Sequence, residues 1–326
     1  MERTTNISGQ ITRTQETTDR YRHRVTGMIK QAIKDRFVNN KANPDAIDLS
    51  KWLISKKNIY CASTFRQYRA ALIMWMEECN FRNSVNAIDL LNADNSIKHF
   101  KRSMSNNTSA MKDKKLSDPD REEIINWLRN NPTQYSVPLI LYLRIGTSLG
   151  LRPCEWKSAR VDIHDDGSAE LHVVNAKATN GRSNGIARTL MLGDLPHGMI
   201  ELIHNFIELI RRLNDIGKWD NFYHGCRKTL YHAARKLWPN RKKYPTLYSL
   251  RHQFCANAKS SGMTKMEVAA LMGHASDETA GIHYGKKRVG SGLCPVKPSI
   301  SDVERLSAKS KYSQSTNEGE NNEIRF

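Results

Sequence analysis

Leu247, Leu250, Phe254 and Ala258 recur at three- and four-residue spacing, which predicts a helix that buries this stripe and runs until Ser261-Gly262 stops it. Thr264 and Glu267 then form a Thr-x-x-Glu capping box for a short helix carrying Met266, Val268, Ala269 and Leu271, and Gly273 suits a left-handed cap at its end. Ser276 can cap a third short helix, with Asp277 and Glu278 in its first turn and Ile282, His283 and Tyr284 at its far end before Gly285. Upstream, the apolar run from Val137 to Ile145 predicts a buried helix with Gly150 as its stop and Pro153 as the first residue of the next. Between these stretches the period changes. Val161 and Ile163 alternate before an Asp166-Gly167 turn, Leu171 and Val173 after it, and Leu190 and Leu192 follow the polar segment ATNGRSNGIAR, so a small three-stranded antiparallel sheet is expected.

The N-terminal third is patterned differently. Tyr21 to about Phe100 carries several amphipathic helical repeats, among them Thr64 to Trp75, and reads as a small all-helical domain. The fold class expected is therefore mainly α with a small antiparallel β-sheet. The domain boundaries expected are a flexible arm over 1–18, a helical domain over 19–102, a linker over 103–116, a second domain over 117–290 and a polar tail over 291–326. The N-terminal residues lack the apolar core of a signal peptide, and no apolar run approaches the ~20 residues of a membrane span, so a soluble, cytoplasmic protein is expected.

The residues with chemical potential sit at element boundaries, where packing does not require them. Arg251 follows a stripe residue, His274 lies just past the Gly273 cap, and Tyr284 ends the third predicted helix. Arg152 falls in the tight turn between two predicted helices. Glu155, three residues on, sits where a carboxylate suits a helix N-terminus and can pair with a guanidinium. Lys177 and Arg182 lie in the hairpin tip, a cationic loop able to close over an anion. Each has an ordinary reading as a surface ion, a helix cap or core filler; together they suggest phosphate chemistry. Charge points the same way: 51 Lys plus Arg against 33 Asp plus Glu give a formal net charge of +18, the footprint of a polyanion binder. Basic residues cluster at Arg227-Lys228, Arg235-Lys236, Arg241 to Lys243 and Lys286 to Arg288. Neutralising about ten phosphates would give a log-log salt slope of about −9 for binding.

Gly-Leu-Arg-Pro-Cys-Glu at 150–155, Leu-Arg-His at 250–252, Leu-Met-Gly-His at 271–274 and Tyr284 resemble, in order and spacing, the boxes of the tyrosine recombinase (phage integrase) family over roughly residues 115–290. The resemblance implies an all-helical core-binding domain that clamps DNA, followed by a tyrosine recombinase catalytic domain and a segment packing on a neighbouring protomer, for which Ile300 to Leu306 is the candidate. It makes Arg152 and Arg251 the two catalytic arginines, Lys177 the hairpin lysine with Arg182 close by, His274 the histidine of the third box, Tyr284 the nucleophile and Glu155 the acid supporting the first arginine. At the place where the family usually has His, or sometimes Lys, this chain has Tyr248. A tyrosine can donate a hydrogen bond but is a poor proton shuttle near neutral pH, with an unperturbed pKa of about 10.

The residue types fit that chemistry. At pH 7 only about one free tyrosine in a thousand is ionised, so its surroundings must supply roughly 4 kcal/mol before it attacks a phosphodiester. Paired guanidinium groups neutralise charge developing on the nonbridging oxygens, and a lysine can protonate the leaving 5' oxygen. The expected enzyme is a site-specific DNA recombinase or integrase acting through a 3'-phosphotyrosyl intermediate, needing no cofactor and no metal. The expected partners are double-stranded recombination sites, a homotetramer on two duplexes and an accessory directionality or DNA-bending protein, in a nucleoid-associated setting. Two alternatives stay open: a DNA-binding protein with weak or lost catalysis, and a type IB topoisomerase-like relaxing enzyme. The six cysteines show no CxxC pair and read as reduced thiols, and His224-Gly225-Cys226 has the wrong spacing for the common zinc sites.

Overall fold

The computed structural model describes residues 14–37, 45–79, 83–93, 112–176, 178, 183–277, 279 and 284–308. The chain divides into two compact units, Met1–Thr108 and Ser109–Phe326. The described part of the first is all helical: α1 (Gln15–Lys34), α2 (Ala46–Ser55), α3 (Ala62–Cys79) and α4 (Ser84–Ala93). Its core joins Val25 and Met28 of α1, Leu49, Trp52 and Leu53 of α2, Phe65, Leu72 and Met76 of α3, and Leu91 of α4. Residues 15–18, placed in a flexible arm by their polarity, form the first turn of α1. The Thr14 side chain accepts from the Thr17 N–H and caps the helix, a device that needs no apolar residue.

The second unit is helical around one small sheet. It begins with β1 (Lys112–Asp113), inside the stretch read as linker, which pairs in parallel with β5 (Tyr244–Pro245). Leu116 next to it is fully buried. Then come α5 (Asp118–Asn130) and α6 (Ser136–Leu149), a 3-10 turn at Glu155–Ser158, and strands β2 (Arg160–Ile163), β3 (Ala169–Val174) and β4 (Ala187–Met191). Helices α7 (His197–Asp215), α8 (Trp219–Leu237), α9 (Leu247–Ser260) and α10 (Lys265–Met272) complete the body, with β6 (Lys297–Pro298) and a last helix, α11, over 300–308.

The antiparallel sheet is observed in the order β2-β3-β4-β6, four strands rather than the expected three. Its alternation holds where it matters: Val161, Leu171, Val173, Leu190 and Leu192 face the core. Trp156 packs on Tyr142 and Phe206 at ring separations of 5.0 and 5.6 Å, fixing the turn that precedes β2. Helix α9 buries Leu247, Leu250, Phe254 and Ala258 as their spacing requires. It lies against α6 so closely that a Cβ on Gly146 would stand 2.7 Å from Leu250 Cδ1.

Residues 297–308, expected within a polar tail, are built into this unit. Pro298 pairs with Leu190, and Leu306 is buried against Ala269 and Ala270 of α10. The Asp302 carboxylate, itself buried, accepts from the Thr189 backbone N–H at 2.8 Å, while Arg305 donates to the carbonyls of Asn184 and Ala187. These anchors are charged side chains bonded to backbone groups, so the composition of the stretch conceals its burial.

Gly150 ends α6 in the left-handed region at φ 61°, and a Cβ there would overlap the Phe254 ring. Gly150→Ala should therefore cost about 3 kcal/mol in urea unfolding, from backbone strain plus overpacking. Gly193→Ala, where a Cβ meets nothing within 4 Å, should stay within about 1 kcal/mol of the parent.

Candidate active site

Four short pieces of backbone bring the site together. The left-handed Gly150 turns the chain out of α6 so that Arg152 points back beside α9. Pro153, expected to open a helix, instead lies in a turn. The Glu155 carboxylate accepts from the Arg152 N–H at 2.8 Å and the Glu155 N–H donates to the Arg152 carbonyl at 2.9 Å. Only Glu155–Ser158 then coil, as a 3-10 turn, because Ala159 is already extended into β2. Arg251 comes from the second turn of α9. His274 follows the Thr264–Glu267 capping box, α10 and the left-handed Gly273, all as the sequence predicts.

Glu155, 1% exposed, is the hub. Its oxygens lie 2.5 Å from Arg152 Nη1, 2.9 Å from Arg188 Nη2 and 3.6 Å from Arg251 Nη1. Burial alone would raise its pKa, but Arg188, Arg251 and Arg152 hold the carboxyl well below the usual range, so it stays ionised. Three guanidinium groups against one carboxylate leave two positive charges uncompensated in a desolvated pocket. Arg251 is further held by Gly150 and Met272 carbonyls at 2.6 and 2.5 Å. Among the described residues, Arg152 Nε and Nη2 have no protein partner.

Tyr284 closes the pocket. Its hydroxyl is 3.3 Å from Arg251 Nε and 3.2 Å from the Tyr248 hydroxyl. Its ring centre lies 4.9 Å from the imidazole of His274 and 5.1 Å from that of His252. Burial opposes ionisation of this phenol, yet the Arg251 cation, the hydrogen bonds from Tyr248 and Arg251, and the Arg152 charge outweigh it and set its pKa below the ordinary tyrosine value. Burial and the Tyr284 neighbour push Tyr248 the other way, up to about 12.

His274 is 2% exposed, and neither of its ring nitrogens has a partner among the described residues. Burial, then the charges of Arg251, Arg152 and Arg188, lower its pKa to about 2, so the ring is neutral. An unpartnered buried donor beside surplus positive charge is the signature of a site built for an anion.

Of the residues singled out in the sequence, Arg152, Glu155, Arg251, His274, Tyr248 and Tyr284 converge here. Lys177 and Arg182 lie outside the described residues, as does most of the expected third helix; at its start Ser276 Oγ is 3.1 Å from Thr279 Oγ1. Arg188 and Asn175 belong to the site and carried no motif, and His252 lay inside the Leu-Arg-His box without being given a role. Arg188, 2% exposed, donates to Glu155, to Asn175 Oδ1 at 2.5 Å and to the Leu271 carbonyl at 2.9 Å. Its position two residues before Leu190 puts it on the inward face of β4, a signal the alternation did contain. Of the basic surface clusters, Arg241 is taken up by ion pairs to Asp113 and Asp120 at 3.0 and 2.8 Å. Arg235 stacks on Tyr231 and Tyr244, 3.8 and 4.3 Å from their ring centres. Among the described residues no helix is long and apolar enough to cross a membrane, and no group of three or more His, Cys, Asp or Glu converges as for a metal ion.

No protein-family model and no curated protein sequence matches the chain. Among solved structures it is similar to the XerH site-specific recombinase bound to palindromic difH substrate in a post-cleavage complex, at 16% identity and a TM-score of 0.47, over 84% of this chain and 77% of that one. It is also similar to the Tn1549 transposon integrase in complex with a circular intermediate DNA, at 14% identity and a TM-score of 0.42, over 82% and 93% of the two chains. For the XerA recombinase the values are 14%, 0.35, 91% and 92%. At these levels the likenesses are resemblances of shape, and the chemistry is read from the pocket itself.

The neutral histidines make stability depend on pH. In the unfolded chain each titrates near ~6.5, whereas the fold holds His274 at about 2 and His252, through burial and then the charges of Lys114, Arg251 and Lys259, at about 4. Below ~6.5 the unfolded state thus binds protons that the folded state refuses, and stability is lost as pH falls, by up to about 1.4 kcal/mol per pH unit for buried His274. Urea midpoints should drop between pH 7 and 5, and His274→Gln should flatten that slope. An equally steep slope in the variant would contradict the assignment.

Proposed function

We propose that this chain is a site-specific DNA recombinase of the tyrosine recombinase type, an integrase or excision enzyme of a mobile element. The observation that carries the reading is the Tyr284 hydroxyl, 3.3 Å from Arg251 Nε, beside surplus positive charge and the unpartnered His274. The boxes that resemble the family supply these same residues in the same order.

In this mechanism a DNA phosphodiester lies over Arg152 and Arg251, whose guanidinium groups bond its nonbridging oxygens, and His274 donates a further hydrogen bond. The Tyr284 oxygen attacks phosphorus in line with the 5' oxygen. The Tyr284 hydroxyl gives its proton to solvent, the Tyr284 O–P bond forms, the P–O5' bond breaks, and the departing 5' oxygen takes a proton from the hairpin lysine Lys177, or from solvent where Arg182 instead holds it by a hydrogen bond. A 3'-phosphotyrosyl bond keeps the ester's energy, so a 5' hydroxyl from a second duplex can reverse the step. Exchange between two duplexes calls for a homotetramer and is open to an accessory DNA-bending or directionality protein. The N-terminal helical unit serves as a clamp on the DNA, the second unit carries the catalytic residues, and the protein works at the nucleoid. Arg188 and Glu155 hold the arginines without touching the phosphate.

The test uses duplexes recovered by binding selection from a random library, each presented with a nick that traps the intermediate. The wild-type chain should form a covalent protein–DNA adduct on denaturing gels and Tyr284→Phe should form none. Arg152→Ala and Arg251→Ala should each slow adduct formation by about 100- to 1,000-fold while changing DNA affinity far less. An adduct that survives in Tyr284→Phe would refute the assignment of the nucleophile. Tight binding with no wild-type adduct would favour a DNA-binding protein without catalysis, and relaxation of plasmid lacking a selected site would favour a type IB topoisomerase-like enzyme.

A further inference from the structure

Tyr248 sits on the first turn of α9, three residues before Arg251 and four before His252, so all three side chains share one helix face. Its hydroxyl meets the Tyr284 hydroxyl at 3.2 Å, and the same Tyr284 oxygen lies 3.3 Å from Arg251 Nε. A guanidinium N–H can only donate, and a phenolate can only accept. Once Tyr284 loses its proton, the phenol pair therefore has one consistent arrangement, with Tyr248 donating.

We propose that Tyr248 is a catalytic hydrogen-bond donor to the nucleophile itself, clamping the Tyr284 phenolate oxygen together with Arg251 Nε in place of a proton-accepting imidazole. This rests on Tyr284 being the nucleophile.

Among the described residues, the groups facing the pair leave no competing base. From α9 come Arg251, His252 and Lys259, whose ammonium donates to the Gly285 carbonyl at 2.9 Å, and Lys114 adds its charge near His252. From the turn after α6 comes Arg152, with Glu155 behind it neutralised by Arg188 of β4 and its fellow arginines. From the loop after α10 comes His274. The two imidazoles near the Tyr284 ring titrate at about 4 and about 2, too low to take a phenol's proton near neutrality. Stabilising the phenolate is thus the route these side chains offer, and the opposed directions of the two phenols, Tyr284 down and Tyr248 up to about 12, match the assigned donor and acceptor.

Tyr248→Phe removes one oxygen and keeps the ring. In the full-length chain labelled with 13Cζ-tyrosine, the Tyr284 resonance, identified by its absence in Tyr284→Phe, should titrate about one to two pH units higher in Tyr248→Phe than in the parent, without any DNA present. On nicked duplex, the variant's adduct formation should fall about 10- to 100-fold at pH 7 and recover as pH rises through the new midpoint, with the salt slope of DNA binding unchanged. An unmoved Tyr284 midpoint would overturn the donor role. So would a rate deficit that persists unchanged to high pH, which would place Tyr248 on the phosphate or the leaving oxygen instead. If the parent forms no adduct, the nucleophile assignment falls, while the resonance titration still decides whether Tyr248 donates to Tyr284.

Discussion

Everything around the pocket depends on one buried carboxylate shared by three guanidinium groups. Glu155 alone could not remain ionised at 1% exposure; the arginines alone could not be packed together without it. Breaking such a cluster by removing its single anion leaves uncompensated charge and typically costs about 3–5 kcal/mol, which makes Glu155 a structural as well as an electrostatic requirement. The cluster is deliberately unbalanced. Its surplus positive charge is what a phosphodiester would neutralise, and the unpartnered His274 stands beside it ready to donate.

The arginines also join elements that are distant in the chain. Arg251 ties α9 to the end of α6 and to the end of α10 through the carbonyls of Gly150 and Met272. Arg188 ties β4 to α10 and to the hairpin base through Leu271 and Asn175. Gly273 is required at their junction, since its φ is 60° and any Cβ would strike Asn175 and Arg188. Behind β4, the buried Asp302 holds the Thr189 backbone, so the 297–308 segment braces the strand that carries Arg188. A site held by this many backbone acceptors fixes its cations before any anion arrives, the condition for stabilising negative charge without reorganisation.

Much of this was legible in the sequence where the cause is local. The Leu247–Ala258 stripe, the Thr264–Glu267 box and the left-handed glycines at 150 and 273 follow from spacing and backbone sterics, and they placed Arg251 beside a stripe residue and His274 and Arg152 at element ends. Pro153 misled, because a proline after a glycine suits a helix start and a turn alike, and the Glu155 carboxylate folding back onto the Arg152 N–H decided for the turn. The strand at 297–298 and the helix over 300–308 were hidden because their anchors are Asp302 and Arg305, residues that composition assigns to solvent.

The sequence by itself thus determined helices α6, α9 and α10 with their caps, the alternation of β2 to β4, and which candidate side chains lie near the ends of these elements, since each is set by neighbours within a few residues. Only the tertiary structure decided that Arg188 joins Arg152 and Arg251 on one carboxylate and that the Tyr248 hydroxyl reaches the Tyr284 oxygen. Those pairings span 33 to 96 positions of chain, from Arg188 with Glu155 to Arg251 with Glu155. They arise from how α6, α9, α10 and β4 pack, and no local periodicity encodes which buried cation will find which anion.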